Sequence, residues 1–96
     1  MESPPNAWCV YLVRCQDGSL YCGIAKDLTR RLAEHNSPDK GAKYTRGRRP
    51  VELVYAEKVS SRAHATQREG QIKRLNRTQK KLLIDSKANH IRASLT

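Results

Sequence analysis

Hydrophobic and polar positions along the chain switch between a two-residue and a helical period, and the switches mark out six elements. Trp8 to Cys15 is rich in β-branched and aromatic residues and predicts a strand. Gln16-Asp17-Gly18-Ser19 reads as a hairpin turn, with Leu20 to Ile24 as the returning strand. Asp27 then caps a helix over Leu28 to His35, whose Leu28 and Leu32 share one face. Val51 to Val59 sets Val51, Leu53 and Tyr55 against more polar neighbours and predicts a third strand. Ser61 caps a second helix reaching Leu75; Asn76-Arg77-Thr78 breaks it, and Thr78 caps a last helix reaching Ser86. The order β-β-α-β-α-α, with no internal repeat and no linker, predicts an α+β fold: a small three-stranded antiparallel sheet flanked by helices. Residues 1–6 carry two prolines and predict a disordered lead-in, 7–86 a single domain, and 87–96 a tail of weak periodicity.

The parity of the hairpin has a consequence for chemistry. Tyr11, Val13 and Cys15 point to one side of the first strand, Val10 and Leu12 to the other. A two-residue turn at Asp17-Gly18 would pair Arg14 with Tyr21 and put Tyr11 and Tyr21 on opposite faces. A loop with an odd number of residues reverses this, because the side-chain period of a strand is two. It gathers Val10, Leu12, Leu20, Cys22 and Ile24 on one apolar face, which burial favours. The expectation is therefore a three- or five-residue loop and two tyrosines sharing a face.

Charge changes the picture next. Across 96 residues, nineteen Lys and Arg oppose nine Asp and Glu, a formal net charge of +10. A field of that sign repels itself and calls for a polyanionic partner. An anionic membrane surface would want a basic amphipathic helix with large apolar anchors; the chain has no Phe, and its one Trp lies in the first strand. Nucleic acid is the expected partner, and no membrane is. The longest apolar run, Ala7 to Val13, is far shorter than the roughly 20 residues of a membrane-crossing helix. Cys9, Cys15 and Cys22 are odd in number and lack Cys-x-x-Cys spacing, which implies neither a disulfide framework nor a zinc knuckle and suits a reducing cytoplasm. Between the first helix and the third strand, Asn36 to Pro50 reads as a loop whose Lys40 to Pro50 stretch contains no acid. Lys43, Arg46, Arg48 and Arg49 there are candidate phosphate contacts, and Tyr44 among them a candidate stacking residue. Lys73, Arg74, Arg77, Lys80 and Lys81 extend a cationic track. No base-reading set stands out, so little sequence preference is expected.

Val10-Tyr11-Leu12, Leu20-Tyr21-Cys22-Gly23 and the helix Asp27-Leu28-Thr29-Arg30-Arg31-Leu32-Ala33-Glu34-His35 together resemble the core pattern of the GIY-YIG nucleases. The matching positions are Tyr11, Tyr21 with Gly23, Arg31 ten residues beyond Tyr21, His35 four beyond that, and Glu69 on a later helix. The resemblance spans about residues 7 to 85. It is nearest to the short stand-alone bacterial members, through Gly41-Ala42-Lys43-Tyr44-Thr45-Arg46-Gly47-Arg48-Arg49-Pro50 and the later Glu69, Lys73 and Leu75. The first motif departs from the name pattern, reading Val-Tyr-Leu, and Ile24 stands where some repair members carry a lysine.

The resemblance implies a divalent-metal-dependent endonuclease that cuts DNA at damaged or branched structures rather than at a sequence. Glu69 becomes the anchor for Mg²⁺ or Mn²⁺, since such an ion accepts one carboxylate plus waters and substrate oxygens; read alone, it is an ordinary helix acid pairing with Lys73. Arg31 is expected to offset charge on the phosphate. His35, one turn later on the same face, is expected to orient or accept a proton. Tyr11 and Tyr21 supply a general base and a phosphate or water contact, in an order the residues leave open. A phenol with a solution pKa near 10 needs neighbouring cations to serve as a base, and Arg31 with a metal is the expected source. Gly23 is expected to allow a close approach of backbone or substrate. An idle nucleic-acid-binding module and an RNA nuclease remain as alternatives. A protein partner that supplies specificity is compatible with one small domain, and oligomeric state is not legible.

Overall fold

In the computed structural model, which describes residues 8–86 and Asn89, the first two strands form the expected hairpin. The lead-in at 1–6 lies outside the described residues, as does the tail at 87–96 apart from Asn89. Strand β1 runs Trp8–Arg14 and β2 Leu20–Ala25, paired antiparallel with Arg14 opposite Leu20 and Tyr11 opposite Gly23. Residues 15–19 thus make a five-residue connection, tightened because Cys15 N donates to Ser19 O at 2.8 Å and Gly18 N to Cys15 O at 2.9 Å. Gly18 sits at φ 85°, the left-handed conformation this turn demands. The odd parity places Tyr11, Val13 and Tyr21 on one face, as burial had dictated.

Strand β3, Glu52–Val59, adds antiparallel to the other side of β1, giving the order β2-β1-β3. A bulge between Leu12 and Val13 shifts the register from Leu12–Tyr55 to Val13–Leu53. Helix α1, Leu28–His35, begins where the Asp27 side chain accepts from Arg30 N, and lays Leu28 and Leu32 on the tyrosine face. Helices α3, Arg62–Lys73, and α4, Arg77–Ile84, cover the opposite face, where Ala65 and Ile72 meet Val10, Leu12, Cys22, Tyr55 and Val59. The Tyr55 hydroxyl, buried in that layer, donates to Glu57, and Arg68 of α3 donates to the same carboxylate at 2.9 and 3.1 Å.

Both faces of the sheet are therefore covered, and the tyrosine side is a second core rather than an open surface: Tyr11 is 1% exposed. Helices α3 and α4 end at Lys73 and Ile84, two residues before the expected Leu75 and Ser86, and two further features differ from the pattern-based expectation. The last helix is capped by Asn76 and not Thr78, because Asn76 accepts from Gln79 N while the Gln79 side chain accepts from Asn76 N, a reciprocal box that Thr78 and Lys81 cannot form. The basic loop is not irregular throughout: it contains a single helical turn, α2, Lys43–Arg46, with no apolar period to announce it.

Candidate active site

The chemistry gathers where α1 and α2 close over the tyrosine face. Tyr11 rises from the middle of β1, and its hydroxyl stands 2.7 Å from His35 Nε2 at the last turn of α1. His35 Nδ1 is 3.0 Å from Thr45 Oγ1 on α2. Both His35 and Thr45 are fully buried. Tyr21, half-buried on β2, lies edge-on to the His35 ring at 5.4 Å and stacks on Tyr44 at 5.7 Å. The Arg48 guanidinium covers the far side of Tyr44 at 4.1 Å. Gly23 makes this possible. A Cβ there would stand 2.5 Å from the Tyr11 hydroxyl oxygen and 2.7 Å from ring carbon Cζ, so only glycine lets the phenol cross β2. What approaches Gly23 closely is the protein's own Tyr11.

Of the two adjacent arginines, Arg31 turns inward and Arg30 outward, with side chains 32% and 76% exposed. Arg31 Nη1 donates to Glu34 at 2.9 Å, and the guanidinium lies close enough to the Tyr11 hydroxyl to act on its ionisation. Burial pulls the Arg31 pKa down, but these two partners outweigh it and raise it overall. The same pair leaves Tyr11 protonated. Burial pushes its pKa to about 12, and the Arg31 guanidinium only partly opposes this. The expected cationic activation of the phenol is thus outweighed by desolvation in the free protein. His35 moves the other way: burial, then the Arg31 charge, lower its pKa, against a smaller opposing effect of Glu34. At neutral pH the pair is a neutral phenol against a neutral imidazole.

A depressed folded-state histidine pKa has a defined sign in stability. Unfolded His35 takes up a proton near pH 6.5 and the folded form resists it, so this contribution is complete above about pH 6.5 and is lost as pH falls. Urea unfolding of wild type and His35→Gln at about pH 5 and pH 7.5 is expected to show a smaller acid destabilisation in the variant. Equal slopes would mean the imidazole is not held neutral by the fold.

Glu69 arrives from the other side. It projects from α3, paired with Lys73 at 3.6 Å, and its side chain is 21% exposed. Its carboxylate acts on the Cys22 thiol, which burial first and Glu69 second push up to about 12. Glu69 therefore lies beside β2, the outer strand that carries Tyr21 and Gly23, but on the face opposite the tyrosines. The sequence-selected set falls into two groups flanking one strand: Tyr11, Tyr21, Arg31, His35 and Tyr44 on one face, Glu69 with Lys73 on the other. Among the described residues no three His, Cys, Asp or Glu side chains cluster to hold a metal. A single acid of this kind suits a hard divalent ion that keeps its waters and takes substrate oxygens, and does not suit a closed structural site.

The basic loop divides as well. Arg48 is engaged internally, its Nε donating to Asp17 at 3.0 Å and its Nη1 to Tyr44 O at 2.7 Å, so it clips the loop to the hairpin turn. Arg49 Nε donates to Arg46 O at 3.0 Å. Lys43 and Arg46 are exposed. Thr45 and Glu34 are the partners that sequence reasoning missed. Glu34 had a signal, its i,i+3 spacing from Arg31; Thr45, an uncharged residue among cations, had none.

A scan against family models matches residues 7–82 to the GIY-YIG catalytic domain. A UPF0213 protein of Desulfotalea psychrophila is 52% identical over 83 residues, covering 86% of this chain and 76% of that protein. The UPF0213 protein YazA of Bacillus subtilis is 48% identical over 79 residues, covering 82% and 79%. Among solved structures, the solution NMR structure of a UPF0213 protein from Bacillus halodurans superposes with a TM-score of 0.55 at 39% identity, covering 88% of this chain and 89% of that one. A protein from E. faecalis gives 0.58 at 41% identity, covering 88% of each. With the family model matched over residues 7–82 and relatives about half identical over most of its length, the chain belongs to the GIY-YIG family as a relative of the small UPF0213 proteins.

Proposed function

We propose that the protein is a divalent-metal-dependent endonuclease that hydrolyses phosphodiester bonds in DNA, acting in the cytoplasm on branched or damaged structures rather than on a sequence. The observation that carries this reading is the buried Tyr11–His35 hydrogen bond with the inward-turned Arg31 guanidinium beside it. A buried phenol hydrogen-bonded to an imidazole beside a cation supplies the proton path and the charge that phosphodiester hydrolysis needs.

Each residue has a task in that reaction. Tyr11 is closed off in the free protein, so substrate binding must first open the tyrosine face. Its oxygen then takes a proton from the attacking water while its own proton moves to His35 Nε2, and the water oxygen bonds to phosphorus as the bond to the leaving oxygen breaks, that oxygen taking up a proton from solvent. Arg31, held by Glu34, offers its remaining donors to the phosphate oxygens, where negative charge grows. Half-buried Tyr21 and the exposed Tyr44 stacked on it offer an aromatic surface beside the Tyr11–His35 pair. Exposed Lys43 and Arg46, within a chain of net charge +10, hold the flanking backbone. Glu69 is the residue to hold Mg²⁺ or Mn²⁺, which supplies charge for the phosphate and leaving oxygens when bound. A strand edge lying between Glu69 and the tyrosines lets one phosphate be addressed from both faces.

The test is cleavage of supercoiled plasmid and of labelled linear, branched and single-stranded DNA and RNA, in Mg²⁺, Mn²⁺ or EDTA. Wild type is expected to cut DNA only with metal, and Glu69→Ala to slow cutting on the order of 10²–10³-fold with DNA affinity retained. Binding without cutting on any substrate and with any metal would reduce the protein to a nucleic-acid-binding module. Preference for the RNA substrates would replace DNA as the target.

A further inference from the structure

We infer that Thr45 is a positioning residue that fixes His35 as the Nδ1–H tautomer, leaving Nε2 bare and aimed at the Tyr11 hydroxyl. The reasoning is a count of protons along one buried chain. Thr45 Oγ1 lies 3.0 Å from the carbonyl oxygen of Ala42 and donates to it. A carbonyl only accepts, so the single hydroxyl proton is spent there. The oxygen then has only lone pairs for His35 Nδ1, 3.0 Å away, and Nδ1 must carry the hydrogen. A neutral imidazole has one N–H, so Nε2 is an acceptor, and the phenol 2.7 Å away donates to it.

The opposite tautomer fails at both ends. With the proton on Nε2, Tyr11 Oη would have to accept it, and the phenol's own proton would lose this acceptor. Nδ1 would then need the Thr45 proton, breaking the bond to Ala42. His35 and Thr45 are fully buried and Tyr11 is 1% exposed, so water offers no easy substitute partner. The ionisable groups around the imidazole are Tyr11 and Tyr21 from the sheet, and Arg31 and Glu34 from its own helix. The Arg31 cation and burial both hold it neutral.

Thr45 is held at this station by local geometry. Gly41, at φ 93°, lets the loop press on the end of α1: a Cβ there would meet His35 Cα at 2.8 Å and Glu34 O at 2.9 Å. The turn that carries Tyr44 and Arg46 towards solvent thereby carries Thr45 inward. Tautomer assignment stands on hydrogen bonding alone; its catalytic meaning, a one-way path for the Tyr11 proton, rests on the nuclease reading above.

The two are separable by experiment. Long-range ¹H–¹⁵N spectra of the histidine side chains of ¹⁵N-labelled protein at neutral pH report which ring nitrogen is protonated, with no substrate present. Wild type and Thr45→Ser are expected to show His35 as Nδ1–H, and Thr45→Val a shift towards Nε2–H. Wild-type His35 seen as Nε2–H or as imidazolium overturns the inference, and needs no variant to fold. An unchanged tautomer in folded Thr45→Val also overturns it and leaves Thr45 as packing. In cleavage assays, Thr45→Val is expected to lower kcat on the order of tenfold or more with KM unchanged, and Thr45→Ser to restore it. Absence of cleavage in wild type would count against the nuclease reading and leave the spectroscopic result standing.

Discussion

Alanine at Gly23 is expected to destabilise the protein by about 1–3 kcal/mol and to disorganise the site at the same time. The added methyl would sit 2.5 Å from Tyr11 Oη, 2.7 Å from Cζ and 3.1 Å from Cε2. The obstruction is not a free side-chain tip. The phenol is 1% exposed, lies on the central strand under α1, and is anchored to His35. Either the ring leaves its place, losing the His35 bond, or the β1–β2 pairing distorts where Tyr11 faces Gly23. Urea unfolding checks this, with m unchanged and the midpoint lowered. The double variant Gly23→Ala/Tyr11→Phe is expected to recover part of the loss, because the closest contact disappears with the hydroxyl. A midpoint equal to wild type in the single variant would show that Tyr11 does not lie across β2.

Removing one oxygen atom, Tyr11→Phe, is expected to slow cleavage on the order of 10²–10⁴-fold while the chain still folds. The ring keeps its packing; the proton acceptor for water is gone. His35 Nε2 also loses its partner in a fully buried position, which costs about 1–3 kcal/mol. Because Tyr11 and His35 act as a unit, His35→Gln is expected to lose a similar factor, and the double variant little more than either single. Independent, multiplying losses would mean that the hydrogen bond does not carry the proton in the rate-limiting step.

Tyr55 makes the same point by contrast. Like Tyr11 it is a fully buried phenol near an arginine, and burial likewise raises its pKa. Its hydroxyl, however, donates to Glu57, a carboxylate shared with Arg68, and this network ties β3 to α3. A carboxylate with a fixed cation is an end point for a proton; an imidazole that can take it up is a route onward. Residue type and burial do not separate the two tyrosines. The third partner does.

Much of the architecture was legible in the chain because it rests on local rules. Asp27 and the Leu28–Leu32 spacing mark α1 to its last residue, and Ser61 starts α3, since caps and apolar periods act within one or two turns. The odd hairpin followed from a two-residue period and the need to bury Val10, Leu12 and Cys22 together. Local rules also misled where two of them competed: both Asn76 and Thr78 are good caps, and Gln79 decided for Asn76.

Residue identity and spacing by themselves determined six of the seven elements, their order and the shared face of Tyr11 and Tyr21, while the family resemblance singled out Arg31 over Arg30. Only the tertiary structure decided that the tyrosine face is buried, that Tyr11 rather than Tyr21 bonds His35, that Thr45 completes the chain, and that Glu69 stands across β2. Those contacts join residues 24 and 10 positions apart, through packing of α1 and α2 on the sheet. Desolvation follows from the same packing, and in the metal-free protein it outweighs the Arg31 cation at the Tyr11 phenol: a sequence places the cation beside it, but only the fold removes the water.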